Sequence, residues 1–276
     1  MIAAALPLAR GQRWHELLTA AHRGSAPLGI TAMLMLLAMI PTTLAGLIDP
    51  RELNGVNIWI KPLKFQLSIA VHLATVALAL LLLPPSVRDR WLVRTVVWAL
   101  VAAALFEAIY ITVQASRGAA SHYNVSAPWA AMMYLLMGGG AVIMALGAAI
   151  IGVLIVRHGR KRDPIALAAG LGLMLGGVLG GLSGIYMSVQ PAHWVGPMPG
   201  QAGLWPFGWS LVGGDLRVAH FFGLHAMQML PITGWLAAQV FPGREQMAIW
   251  ASAVLVTAIT GLAFGQAVAG VPFIRL

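Results

Sequence analysis

The chain has no cysteine and few charged residues. The absence of cysteine from all 276 residues excludes disulfides, iron–sulfur clusters, thiolate metal sites and thiol redox chemistry. Only 9% of the residues are charged, whereas a soluble domain of this length carries roughly a quarter. Because hydrocarbon cannot solvate charge, this shortage is typical of a surface that faces lipid. The 59% of residues that are hydrophobic include apolar runs of about twenty, which is long enough to cross a bilayer as a helix.

These runs predict an all-α integral membrane protein, a bundle of seven transmembrane helices in one membrane domain, residues 27–276. Pro84-Pro85 and Asp163-Pro164 mark helix boundaries, because proline cannot continue the backbone hydrogen-bond ladder. Residues 1–26 are expected to form a cytoplasmic or interfacial segment. The predicted spans are residues 27–48, 62–84, 92–115, 129–156, 165–189, 217–240 and 246–268.

Lys and Arg are unevenly distributed between the two sides. With the N-terminus inside, eleven of the 17 lie in cytoplasmic segments and six in outer segments. Because cytoplasmic loops carry the excess of positive charge, the N-terminus is predicted to be cytoplasmic and the C-terminus outside, in a bacterial inner membrane. The net charge of +9 therefore indicates topology and not nucleic-acid binding. The cytoplasmic residues are Arg10, Arg13, Arg23, Arg88, Arg90, Arg94, Arg157, Arg160, Lys161, Arg162 and Arg244, and the outer residues are Arg51, Lys61, Lys64, Arg117, Arg217 and Arg275.

Glycines recur every fourth residue in the fifth predicted span, at Gly172, Gly176, Gly180 and Gly184. Small residues at this spacing let two helices approach closely. The pattern predicts tight helix packing, and we expect residues 138–140 of the fourth span, all glycine, to pack at the same place.

Polar residues follow one narrow stripe on each of four predicted helices when they are placed at about 100° per residue. Ionisable groups are costly in hydrocarbon, so stripes of this kind should face one another or a water-filled cavity. The stripes are Lys61, Lys64, Ser68, His72 and Thr75; Glu107, Tyr110, Gln114 and Arg117; Arg217, His220 and Gln228 with His225 at the edge; and Ser183, Tyr186 and Gln190.

Three ionisable groups reach a similar depth from three helices. At a rise of about 1.5 Å per residue, His72, Glu107 and His225 lie about 15, 14 and 12 Å below the outer ends of their helices. The sequence therefore predicts a polar cavity that opens outward and has these residues at its floor.

Four cations surround the predicted mouth of the cavity, namely Lys61, Lys64, Arg117 and Arg217. Cations at this position suit an anion such as a carboxylate, a phosphate or the acidic arm of a cofactor. The expected partners are the lipid bilayer, an anionic small molecule or a quinone, and a partner subunit or second copy of the chain. His122 lies just above the membrane, and residues 191–215 are long enough to form a lid.

A haem b is the first expectation for the cavity, because it needs axial histidines on facing helices and basic groups for its propionates. His72 and His225 are the predicted axial ligands, with His220 as a substitute nearer the mouth. Glu107 and Gln228 are expected to handle protons beside the cofactor.

Two alternatives remain from the same residues. The first is a metal-dependent membrane enzyme that uses His72, Glu107 and a helix-six histidine to hold zinc, iron or manganese. Ser68 and His72 resemble the Ser/His pairing of seven-helix zinc hydrolases such as alkaline ceramidases, but the HxxxH pair of those families is absent here. The second alternative is a transporter or sensor that binds an anionic solute.

Overall fold

The computed structural model describes residues 13–160, 163–197 and 203–275. Most of the predicted N-terminal segment, residues 1–12, lies outside this part. So do three residues used in the topology prediction, Arg10, Lys161 and Arg162. The ten α-helices of the described part are α1 (Arg13–Gly24), α2 (Ala26–Ile48), α3 (Ile60–Ala79), α4 (Pro85–Arg88), α5 (Trp91–Ser116), α6 (Pro128–His158), α7 (Pro164–Leu175), α8 (Gly181–Ser188), α9 (Leu216–Val240) and α10 (Glu245–Val268). A 3-10 turn, Leu80–Leu82, extends α3, and a π-helical segment, Gly176–Gly180, joins α7 to α8.

The seven predicted spans are all helical, with ends within two residues of those expected. In the described part, six helices are long and apolar enough to cross a membrane, which identifies an α-helical membrane protein. The remaining long helix, α9, carries Arg217, His220 and His225, and these residues lower its hydropathy.

A β-hairpin links α2 to α3. Its strands are β1 (Glu52–Leu53) and β2 (Val56–Asn57). Asn54 and Gly55 between them have φ angles of 55° and 75°, which an Asn-Gly pair adopts at low cost in a two-residue turn. The Trp59 indole donates to Asp49 Oδ2 at 3.0 Å, which fixes the start of α3 beside the end of α2.

The bundle has two packed groups of helices. On one side α2, α3 and α5 pack together, and on the other side α9 packs between α7 and α10. Helix α6 joins the groups because it packs on both α5 and α7. A second two-stranded pairing, β3 (Trp194–Val195) with β4 (Gly214–Asp215), joins the two ends of the long connection between α8 and α9.

The glycine ladder of α7 and α8 packs on α9, which confirms the prediction of close packing. A Cβ on Gly172 would lie 2.8 Å from the Ala226 carbonyl oxygen, and one on Gly184 would lie 2.9 Å from Cε1 of His220. Residues 138–140 do not pack there. The first two glycines of that run face open space, and Gly140 instead makes room for the Glu107 side chain of α5.

Candidate functional site

Lys61 lies in the first turn of α3, the end predicted to be the outer one. Its ammonium group has no hydrogen bond or ion pair within the described residues, and the residue is half-buried. Electrostatic interactions link it to Glu107 below, to Arg217 beside it, and to His122 and His193. Lys61 therefore interacts electrostatically with ionisable side chains from two other helices, α5 and α9, and from the loops that precede α6 and α9.

His122 and His193 come from the loops that precede α6 and α9. The His122 ring lies 5.4 Å from the Phe65 ring and 6.0 Å from the Tyr134 ring, centroid to centroid. Burial lowers the pKa of His193 to about 4, and the positive charge of Arg217 adds to the effect. Burial also holds the pKa of His122 well below its usual range, and the charge of Lys61 acts in the same direction. Both imidazoles are therefore neutral at neutral pH, and each keeps one N–H donor.

Two tyrosines hold these loops against the end of α8. The hydroxyl of Tyr123 donates to the Met187 carbonyl at 3.1 Å, and that of Tyr134 donates to the Ser188 carbonyl at 2.9 Å. Their rings lie 5.4 Å apart. Tyr123, Tyr134 and His193 were not predicted as site residues. The sequence did offer one indication for His193, which is its position in residues 191–215, the loop expected to cover the mouth.

The other three predicted mouth cations have partners within the protein. Lys64 Nζ donates to the Phe207 carbonyl at 3.0 Å. Arg217 forms a paired contact with the Asp215 carboxylate and also donates to the Gly208 carbonyl at 2.6 Å. Arg117 is exposed, with its guanidinium 5.6 Å from the centre of the Trp129 ring. Lys61 is therefore the predicted mouth cation that is half-buried and has, within the described residues, neither a hydrogen bond, an ion pair nor an aromatic ring as its partner.

Unpaired polar groups continue inward from Lys61 between α3, α5 and α6. Glu107 is 2% exposed and its Oε1 has no hydrogen-bond partner, and the buried hydroxyl of Tyr110 has none either. Gln114 lies one turn after Tyr110 on α5. Its amide donates to the Ala120 carbonyl at 3.1 Å and so fixes the loop between α5 and α6 that carries His122. Buried polar groups are normally paired, so the space below Lys61 has hydrogen-bonding capacity that the described residues leave unused.

The three predicted ligand histidines share one arrangement. His220 Nδ1 lies 2.8 Å from the Gly180 carbonyl oxygen, and His225 Nδ1 lies 3.1 Å from Gln228 Oε1. His72 interacts with the backbone of Met144 on α6, and its buried Nε2 has no partner. In each ring the described structure leaves Nε2 without a hydrogen bond.

No hydrogen bond or ring contact joins His72 and His225 within the described residues, and the His72 ring interacts instead with the backbone of Met144 on α6. The nearest link between their helices lies one turn deeper, where Gln228 donates to Thr75 Oγ1 at 2.9 Å. Ser68, on the predicted stripe of α3, is exposed on the outside of the bundle.

The predicted metal ligands are not gathered either. Among the described residues, no group of three or more His, Asp or Glu side chains is close enough to hold a metal ion. Of the predicted stripe on the fifth span, Ser183 donates to the Leu179 carbonyl and the exposed Tyr186 packs against Phe264.

Comparison of the chain with family models, curated proteins and solved structures finds no match. The candidate site consists of Lys61 with His122 and His193.

Proposed function

We propose that the bundle crosses the membrane seven times, with α9 as the seventh span. Helix α9 runs antiparallel to α7 and α8 along its length, since Gly184 adjoins His220, Gly172 adjoins Ala226, and Gly234 adjoins Pro164. A helix packed in this way covers the same depth as the span beside it. Its polar residues face the protein, which is where intramembrane ionisable groups are tolerated.

We propose that the N-terminus is cytoplasmic and that the site faces outward from a bacterial inner membrane. The Lys and Arg bias between loops supports this orientation. It places the outer loops of His122 and His193, and the first turn of α3, on the external side.

We propose that the protein binds a small oxyanion, such as a carboxylate or a phosphate, at Lys61. The observation that carries this proposal is the half-buried Lys61, whose ammonium has no hydrogen bond or ion pair within the described residues and interacts electrostatically with the neutral imidazoles of His122 and His193. An anion there would gain a charge-assisted hydrogen bond from Lys61 and N–H donors from His122 and His193. Glu107 lies on the inner side of Lys61, so an ionised Glu107 would repel the anion and a protonated one would donate to it.

Replacing Lys61 with methionine should weaken oxyanion binding by about tenfold or more, because a hydrogen bond to a charged group contributes roughly 1.5–3 kcal/mol. Sulfate and acetate are suitable probes, titrated by calorimetry into the full-length protein in detergent at low chloride. Arg275→Met is the matched control, since Arg275 is an exposed outer cation distant in sequence from the site.

The pH dependence of sulfate binding provides a second readout, because sulfate keeps its charge over the range used. A bound anion raises the pKa of each imidazole above its value in the free protein, which for His193 is about 4. Affinity should therefore rise as the pH falls from neutral and level off near that value. If neither probe binds, or if Lys61→Met and Arg275→Met bind alike, the proposed oxyanion site is wrong.

A haem b is the second candidate, and the observation that favours it is that Nε2 of His72 and Nε2 of His225 have no hydrogen bond within the described residues. A ligating histidine commonly holds its other ring nitrogen against an oxygen, as His225 does with Gln228. The group would supply electron transfer, while these residues would fix the orientation of the two rings.

The absorption spectrum of the purified protein tests this candidate. A Soret band that shifts on addition of dithionite is expected if haem is bound, and His72→Ala and His225→Ala should each reduce its amplitude. A Soret band that persists in both variants would show that the axial ligands lie elsewhere. Protein that stays colourless even after reconstitution with hemin would remove haem from consideration.

A further inference from the structure

Three arginines lie close together where the short helix α4 leads into α5. Arg88 is the last residue of α4, Arg90 directly precedes α5, and Arg94 lies one turn into α5. Backbone hydrogen bonds fix this arrangement, because the N–H of Arg90 donates to the Val87 carbonyl and the N–H of Arg94 donates to the Arg90 carbonyl, each at 3.1 Å. These three arginines form what is called here the arginine patch.

The positive charge of the arginine patch is not neutralised within the described residues. None of its three guanidinium groups has a hydrogen bond, an ion pair or an aromatic ring as its partner there. Asp89 lies between Arg88 and Arg90 in the chain, but it is exposed and forms no ion pair with either. Three positive charges and one negative charge therefore leave a net charge of +2 on this surface.

Arg94 lies on the exposed side of α5, which faces lipid in a helix that spans a membrane. Trp91 and Trp98, one turn to either side of Arg94, are 75% and 61% exposed. Hydrocarbon cannot solvate a guanidinium group, so the Arg94 side chain must extend toward the headgroup layer. Exposed tryptophan rings favour the same layer. The start of α5 therefore presents cations and aromatic rings at the depth of the lipid headgroups.

We propose that the arginine patch binds the headgroup of an anionic phospholipid. The lipid phosphate would accept charge-assisted hydrogen bonds from Arg90 and Arg94. Because the patch has a net positive charge, it should prefer a headgroup with a net negative charge over a zwitterionic one. The acyl chains would lie along the exposed side of α5, beside Trp98. Glu107 is roughly 20 Å from Arg94 along the helix, so this surface is separate from the proposed oxyanion site.

Lipid binding to the full-length protein in detergent, measured by native mass spectrometry, tests the proposal. Dioleoyl phosphatidylglycerol should bind about tenfold more tightly than dioleoyl phosphatidylcholine, which has the same acyl chains and no net charge. Arg90→Gln combined with Arg94→Gln should bring the two affinities to within about twofold of each other. Both side chains are exposed, so the thermal unfolding of this variant in lipid-free detergent should match that of the wild type.

Arg157→Gln combined with Arg160→Gln is the matched control. It removes two exposed arginines from the same end of the bundle, because α6 runs antiparallel to α5, with Gly140 beside Glu107 and Gly147 beside Leu100. The control should keep the preference for phosphatidylglycerol.

Two results would overturn the proposal directly. One is equal affinity of the wild type for the two lipids. The other is an equal loss of preference in the two double variants, which would show that only the total charge at this end matters. Displacement of phosphatidylglycerol by inorganic phosphate would assign the arginine patch to a soluble phosphate instead.

Discussion

Replacing Asp215 with alanine should lower the free energy of unfolding by about 3 kcal/mol, because it removes the buried partner of Arg217, whose side chain is 32% exposed. The carboxylate is fully buried and accepts from the Arg217 guanidinium at 2.6 and 2.9 Å. It also accepts from the backbone N–H of Ser210 at 2.9 Å and of Arg217 at 3.0 Å, so it caps α9. All four donors would lose their acceptor at once.

Unfolding by SDS titration in mixed micelles, followed by circular dichroism, measures this loss. Asp49→Ala is the matched control, because the Arg51–Asp49 pair has a similar 2.7 Å contact but an Arg51 side chain that is 51% exposed. Water can replace Asp49 as the partner of Arg51, so the control should lose much less stability. Equal losses in the two variants would show that burial of Asp215 does not decide its contribution.

Gly172→Leu should destabilise the bundle by about 3 kcal/mol, because added volume at a packed helix contact forces the backbones apart. A Cβ at this position already lies 2.8 Å from the Ala226 carbonyl oxygen and 3.2 Å from Leu230 Cβ. The first of these atoms is backbone, so no side-chain rotation relieves the contact.

Gly139→Leu makes the same chemical change where the structure has room. Nothing lies within 4 Å of a Cβ at Gly139, and leucine favours a helix over glycine by up to about 1 kcal/mol. We expect this control to be neutral or slightly stabilising in the same unfolding experiment. A loss comparable to that of Gly172→Leu would mean that leucine is harmful in either helix regardless of packing.

Helix positions could be predicted from the sequence because each depends on a local property, the length of an apolar run between proline, glycine or charged boundaries. The burial of Glu107 followed from its place among Tyr110 and Gln114 on one face of a helix. Three of the four mouth cations, in contrast, have partners that no pattern indicated. Lys64 binds the Phe207 carbonyl, and a backbone carbonyl is the same for every residue type, so the sequence does not mark which one is used.

His193 was missed for a related reason. A loop has no periodicity, so the sequence gives no direction for its side chains, and its approach to Lys61 depends on β3 pairing with β4. The π-helical segment Gly176–Gly180 was also not predicted. A π-helical turn changes the spacing at which side chains share a face, and a segment made mostly of glycine has too few side chains to show that change. The carbonyl oxygen of Gly180, the last residue of this segment, lies 2.8 Å from His220 Nδ1.

Lys64 and Arg217 hold neighbouring carbonyls, those of Phe207 and Gly208, from helices α3 and α9. These helices belong to the two packed groups, and within the described residues their other polar tie is the Gln228–Thr75 hydrogen bond. The turn at residues 207 and 208 therefore connects the two groups of helices, and the Gln228–Thr75 hydrogen bond connects them a second time, further along α3 and α9. If one group of helices moved relative to the other, the hydrogen bonds of Lys64 and Arg217 to this turn would have to stretch or break. They therefore limit how far the N-terminal ends of α3 and α9 can separate.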